Sequence, residues 1–246
     1  QLNIPQFSFS LIFPPRLPRH ESVRVVLVHL RALPVSGPAL SALRFAWDGS
    51  GLQFNWHPVL MVTGLVVLYG FAAVVFRLPF TWKQRKLTWK LVHGGLMLAA
   101  LLLSVLGLCA VFDYHRASKI PDVYSLHSWV GLCTVALFAL QWLLGLAGFL
   151  LPCSPPRFRS NLKPVHVWMG KAILILSLTS CISGITEELF FNLSLPVEAK
   201  FANSLGLLLA AFVLVVFGLL SNNSWQRPET DGETVPVKVS QGTECT

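Results

Sequence analysis

Five stretches of about twenty residues carry almost no charge: Pro58 to Phe76, Leu91 to Phe112, His127 to Leu151, Val165 to Thr186, and Asn203 to Leu220. At about 1.5 Å of rise per residue, each is long enough to cross a hydrocarbon layer of about 30 Å as a helix. Chain inside lipid must satisfy its own backbone donors and acceptors, so these runs are read as helices and not as irregular segments. The polar breaks carry helix punctuation. "NWHP" offers Asn55 as N-cap with Pro58 in the first turn, and "NLKPVH" repeats the device with Asn161 and Pro164. The pattern predicts an all-α membrane protein, an antiparallel four-helix transmembrane bundle plus one further C-terminal span.

The flanks read differently. Residues 1 to 46 contain "FPPRLPRH" and "VRVVLVHLRALPVSG", with too many prolines and arginines for a spanning helix; Val23 to Leu33 fits at most a short interfacial helix. The membrane domain is placed at 47–221. After it, residues 222–246 turn polar and read as a disordered cytosolic tail.

Charge fixes the orientation. The net charge of +8, from 19 basic against 11 acidic residues, could suggest nucleic acid or an anionic surface. Its distribution excludes nucleic acid. One connection holds Arg77, Lys83, Arg85, Lys86 and Lys90, and another holds Arg157, Arg159 and Lys163, whereas the intervening loops carry fewer, Arg116 and Lys119 in one and Lys200 in the other, accompanied by Asp113, Asp122, Glu187, Glu188 and Glu198. Positive-inside logic sends the two basic connections to the cytosol. The sequon at Asn192 then falls on the lumenal side, where glycosylation is possible.

Four histidines stand out against this frame. His57, His93, His127 and His166 each open a different span. Because the chain weaves up and down, His57 and His127 come to one level near the lumen and His93 and His166 to another near the cytosol. In an antiparallel bundle diagonal helices run parallel, so each like-level pair can face itself across the core. Two imidazoles opposed across a bundle, twice over, suit two haem irons ligated above and below. "HSWVG" and "HVWMG" repeat one pattern, placing Gly131 and Gly170 one turn deeper on the histidine face, where a flat macrocycle needs room; Gly94 does similar service beside His93.

Plainer explanations exist for each feature alone. A single interfacial histidine is ordinarily a snorkelling polar residue, membrane glycines ordinarily serve helix packing, and Trp56, Trp129 and Trp168 suit interfacial anchors. Zinc competes poorly, since it takes about four ligands and each level offers two histidines. A haem-free transporter or scaffold remains the rival from another class.

The segments "FNWHPVLMVTG", "KLVHGGL", "YSLHSWVG" and "KPVHVWMG" resemble the four histidine segments of the cytochrome b561 family of transmembrane ascorbate-dependent oxidoreductases. "LLPCSPPRFRSNLKPVHV", "ISGITEELFF" and "FANSLG" look most like its lysosomal and late-endosomal ferric reductase branch. The resemblance implies two haem b groups, with His57 and His127 ligating the lumenal iron and His93 and His166 the cytosolic one. No C-x-x-C-H occurs, so the haems are expected to be non-covalent.

The implied activity is electron transfer from cytosolic ascorbate to lumenal ferric iron, presented as a chelate. The alternative inside the family is regeneration of lumenal ascorbate from monodehydroascorbate. Lys83, Lys86, Lys90, Arg157 and Arg159 are the candidate contacts for the ascorbate anion. His115 and Tyr124 are the candidates for the lumenal acceptor. The expected compartment is the late endosome or lysosome membrane, and a homodimer is compatible with the resemblance. Two departures accompany it. The family's first span, which would precede "WDGS", is expected to be missing, and Lys171 lies deep in the fourth run, either snorkelling to the cytosol or meeting a haem propionate.

Overall fold

The computed structural model describes residues 44–191 and 196–228. The expectations for residues 1 to 43, for Asn192 and for the tail beyond residue 228 lie outside the described residues. Among the described residues there is helix and no strand.

Five helices are long and apolar enough to cross a membrane: α1 Gly51–Arg77, α3 Lys86–Ser118, α4 Leu126–Leu150, α5 Pro156–Phe191, and α6, which runs Pro196–Ser221. A short helix, α2 Pro79–Trp82, turns the chain between α1 and α3. Successive spans run in opposite directions. The architecture is the predicted all-α membrane bundle, with α1 packing on α3, α3 on α4, α4 on α5, and α5 back on α1, while α6 lies outside against α1 and α5. The parallel diagonals are therefore α1 with α4 and α3 with α5.

The helix starts depart from the expected caps. Ser50 caps α1, its hydroxyl accepting from the Leu52 amide, whereas Asn55 is already helical and makes no side-chain cap bond. Similarly, α5 begins at Pro156 and carries Asn161 and Pro164 within it. Hydropathy marks the thickness of the lipid, and these helices extend beyond it into water, so their true ends are set by polar residues further out. Of the four histidines, only His127 keeps a place in a first turn, behind Ser125, whose hydroxyl accepts from the Ser128 amide.

The centre of the bundle is sealed by Leu65, Val66, Tyr69, Ala100, Phe138, Ile173 and Leu174. Lipid tails are as apolar as these side chains, so close packing holds the helices together here more than removal from water. Buried hydroxyls spend their protons locally: Ser104 donates to Ala100 O at 2.8 Å, Thr134 to Val130 O at 2.6 Å, and Ser177 to Ile173 O at 2.8 Å.

At the basic end, Arg77 donates to Leu220 O and Asn222 O at 2.7 and 2.9 Å, satisfying the last carbonyls of α6. Lys171 turns the same way, with Nζ 3.3 Å from Ser221 Oγ and 5.7 Å from the Phe217 ring centroid. Of the two fates expected for Lys171, the structure shows the outward one, along α6.

Candidate functional site

The topology brings the four histidines together in two pairs. His57 on α1 and His127 on α4 have ring centroids 6.0 Å apart, and His93 on α3 and His166 on α5 have centroids 6.3 Å apart. Both pairs span diagonals of the bundle. Their spacing along the helices can be read from the carbonyls they touch. His57 meets Gly107 and His93 meets Ala72, so fourteen residues of α3 separate the levels, about 21 Å at 1.5 Å per residue.

Each gap matches an iron between two rings. Two metal–imidazole bonds of about 2 Å plus about 1.2 Å from each nitrogen to its ring centre give about 6.4 Å, close to both separations. The tautomers suit it too. Nδ1 of His57, His93 and His127 lies 3.0, 2.8 and 2.9 Å from the carbonyls of Gly107, Ala72 and Ser180. A carbonyl can only accept, so Nδ1 carries the proton and Nε2 keeps its lone pair for a metal. Among the described residues, Nδ1 of His166 is buried and has no hydrogen-bond partner. Among the described residues no group of three or more His, Cys, Asp or Glu gathers as a closed metal site would require. The donor set thus fits an iron porphyrin, with two histidines per level, and not a tetrahedral ion.

The glycines around these rings are not all the expected ones. A β-carbon on Gly131 would meet Ser180 Oγ at 3.1 Å; on Gly170 it would meet Tyr69 Oη at 3.6 Å, and on Gly94 Leu150 Cδ1 at 3.3 Å. Two glycines missed by sequence reasoning press directly on the rings. A β-carbon on Gly184 would lie 2.8 Å from His127 Cε1, and one on Gly145 would lie 2.9 Å from His166 Cε1. No local motif marks either residue, because the contact depends on how α4 and α5 are rotated about their axes. Trp129 and Trp168, inside the repeated motif, are 62% and 66% exposed and point outward, as anchors would.

The wall between the levels is built from α1, α4 and α5. Tyr69 Oη donates to Gly170 O at 2.9 Å and its ring meets Phe138 edge-on at 4.9 Å. Gln141 Nε2 donates to His166 O at 2.6 Å.

At the basic end, two of the five predicted ascorbate contacts are engaged with backbone. Lys90 Nζ donates to Phe149 O at 3.3 Å, and Arg159 Nη2 donates to Leu151 O and Pro152 O at 3.1 and 3.3 Å. Phe149 lies in the last turn of α4, whose closing carbonyls lack intrahelical donors, and Leu151 and Pro152 follow that helix directly. Arg157, like Arg159, lies in the first turn of α5, Lys83 follows α2, and Lys86 begins α3. All five residues therefore lie at the same end of the bundle as His93 and His166.

At the opposite end the two predicted acceptor contacts are split: His115 lies within the last turn of α3 and not in a loop, and Tyr124 lies in the loop between α3 and α4. That loop turns through two left-handed residues, Lys119 and Val123. His115 and Tyr124 have ring centroids 6.4 Å apart. Nδ1 of His115 stands 3.3 Å from Asp122 Oδ1 without hydrogen-bond geometry, an ion pair only when the imidazole is protonated. A hydrogen bond with Glu187, then burial and the nearby Glu187 and Glu188 charges, push the Tyr124 phenol up to about 12. This end is rich in carboxylates and the other in cations.

Comparison with known proteins agrees with the geometry. Residues 56–192 match the family described as eukaryotic cytochrome b561. A lysosomal membrane ascorbate-dependent ferrireductase of Danio rerio is 58% identical over 196 residues, covering 75% of this chain and 79% of that protein. The Homo sapiens protein of the same description is 55% identical over 193 residues, covering 75% and 80%. A plasma membrane ascorbate-dependent reductase of Mus musculus is 44% identical over 206 residues, covering 81% and 71%.

Proposed function

This chain belongs to the eukaryotic cytochrome b561 family, which implies haem b, and from that premise we propose that it moves electrons from cytosolic ascorbate to lumenal ferric iron across a lysosomal membrane. Two non-covalent b haems serve the transfer, one held by His57 and His127 and the other by His93 and His166. The observation that carries this reading is the repetition of one geometry: two histidine pairs, 6.0 and 6.3 Å between centroids, on the two diagonals of one bundle.

Haem held by these histidine pairs would supply reversible one-electron chemistry. The chain's own residues do the rest. Lys83, Lys86, Lys90, Arg157 and Arg159 draw the ascorbate anion to the basic mouth, and the carbonyls of Gly107, Ala72 and Ser180 hold three imidazoles in their donor tautomer. At the other end, His115 and Tyr124, backed by Asp122, Glu187 and Glu188, receive a ferric chelate; the same face is open to an ascorbyl radical.

The test is spectroscopic. Purified protein should give a reduced-minus-oxidised visible spectrum with a split α-band, and His127→Ala should lose one of two haems while ascorbate still reduces the other. A wild-type spectrum without haem bands, or a His127→Ala protein that keeps both haems, would remove the reading. Vesicles loaded with ferric chelate or with ascorbyl radical separate the two acceptors by rate.

A further inference from the structure

His166 differs from the other three histidines in what holds its ring. Their Nδ1 atoms rest on backbone carbonyls, whereas Nδ1 of His166 is buried and finds none among the described residues. Its backbone is well anchored, since Gln141 donates to its own carbonyl and Tyr69 to that of Gly170 one turn on. Backbone anchoring leaves the side-chain torsions open. Something else must set the plane of this imidazole if it is to present a lone pair across the bundle to the ring of His93.

The candidate comes from the end of α4. There the chain winds more loosely, with residues Leu146–Leu150 in π-helical turns and Leu151 N bonded to Leu146 O at 3.1 Å. Such a turn carries one residue more than an α-turn and re-aims the side chains beyond it, which is why π-bulges recur at functional sites. Here it brings Phe149 edge-on to His166, with centroids 5.2 Å apart and planes at 72°. Glycines on both sides let α4 come this close to α5. A β-carbon on Gly145 would press on His166 Cε1 at 2.9 Å, and one on Gly148 would overlap Leu162 Cδ2. The Phe149 carbonyl is in turn held by Lys90, one turn before His93.

We propose that Phe149 is the positioning residue of His166: the π-helical end of α4 seats its ring against the one imidazole of the set that no carbonyl orients. Through Lys90 the same residue ties the basic mouth to that imidazole. The proposal rests on the two-haem reading, because the orientation matters only if His166 is a ligand.

The experiment compares purified, haem-loaded wild type with Phe149→Leu, Phe149→Tyr and Phe149→Trp by electron paramagnetic resonance of the ferric protein and by haem retention over time. Phe149→Leu should shift the low-spin signal of one centre and speed loss of that haem about tenfold, the lower range for a lost orienting partner. The other centre should be unchanged. Phe149→Tyr keeps the ring edge and should restore both readouts. Should Phe149→Leu lose both haems through misfolding, Phe149→Trp decides, since its larger ring must move one signal alone. An unshifted signal with wild-type retention in Phe149→Leu or in Phe149→Trp overturns the proposal while leaving two haems in place; wild type without haem overturns the two-haem reading itself.

Discussion

Gly184→Ala tests how tightly the bundle is built around His127. The substitution adds one methyl group inside a helix that otherwise favours alanine, so propensity alone would stabilise it by about 1 kcal/mol. The space is not there. Its β-carbon would stand 2.8, 3.0 and 3.3 Å from Cε1, Nδ1 and Nε2 of His127, a whole ring edge. Ordinary contact begins at 3.4 Å, so the ring must retreat by about 0.6 Å or the two helices must part. A retreat of that size stretches the 2.9 Å bond from Nδ1 to Ser180 O to about 3.5 Å, beyond useful hydrogen-bond length. The bond is worth about 0.5–1.5 kcal/mol, and losing a ligand's orienting partner ordinarily weakens metal binding about 10–100-fold.

Under the two-haem reading the expected protein therefore folds, binds the haem of the His93 and His166 level normally, and holds the other at least tenfold more weakly. Haem titration of apoprotein, followed by the visible spectrum and by the haem-to-protein ratio, measures this directly. Gly145→Ala is the reciprocal control, pressing on His166 at 2.9 Å and weakening the opposite centre. Wild-type affinity at both levels in Gly184→Ala, or loss at the His93 and His166 level only, would refute the reasoning.

Two further outcomes follow from the ends of the molecule. Arg159→Ala, by removing both donors to Leu151 O and Pro152 O, should lower thermal stability by about 0.3–1 kcal/mol, whereas Lys83→Ala should leave stability unchanged and instead raise the ascorbate KM and flatten its dependence on ionic strength. Tyr124 should resist ionisation: its phenol is raised from about 10 to about 12, so its bond to Glu187 contributes stability fully below pH ~10 and loses it as pH climbs through ~12. A phenolate titration by ultraviolet absorbance, compared with Tyr124→Phe, checks this; a midpoint at the ordinary value would contradict the contact.

The histidine pairing was legible in the sequence because only two quantities decide it, the rise per residue and the reversal of direction at each connection. Helix ends were less so. Asn55 and Asn161 are plausible caps by type, yet the helices start at Gly51 and Pro156, since polar turns beyond the hydrocarbon boundary remain helical. The carbonyl partners of His57, His93 and His127, and the glycines at 145 and 184, depend on the rotation of each helix against its neighbour. No one-dimensional pattern encodes that angle. The basic cluster was legible as a charge, but not that Lys90 and Arg159 would donate to backbone carbonyls around the end of α4, because those contacts depend on how the helices meet.

Under the two-haem reading, the interior also decides what can cross with the electron. The two levels lie about 21 Å apart, and the polar side chains buried between them include the hydroxyls of Ser104, Thr134 and Ser177, the Gln141 amide and the Tyr69 phenol. Each is neutral, and each donates a hydrogen bond to a backbone carbonyl. Moving a proton along this route would require breaking those bonds in surroundings where an unpaired polar group costs about 1–3 kcal/mol. Committed dipoles also reorient little when charge passes, which favours transfer of an electron alone. Proton exchange is thereby left to the two wet ends, where His115 faces Asp122, Tyr124 faces Glu187, and the basic mouth meets its donor.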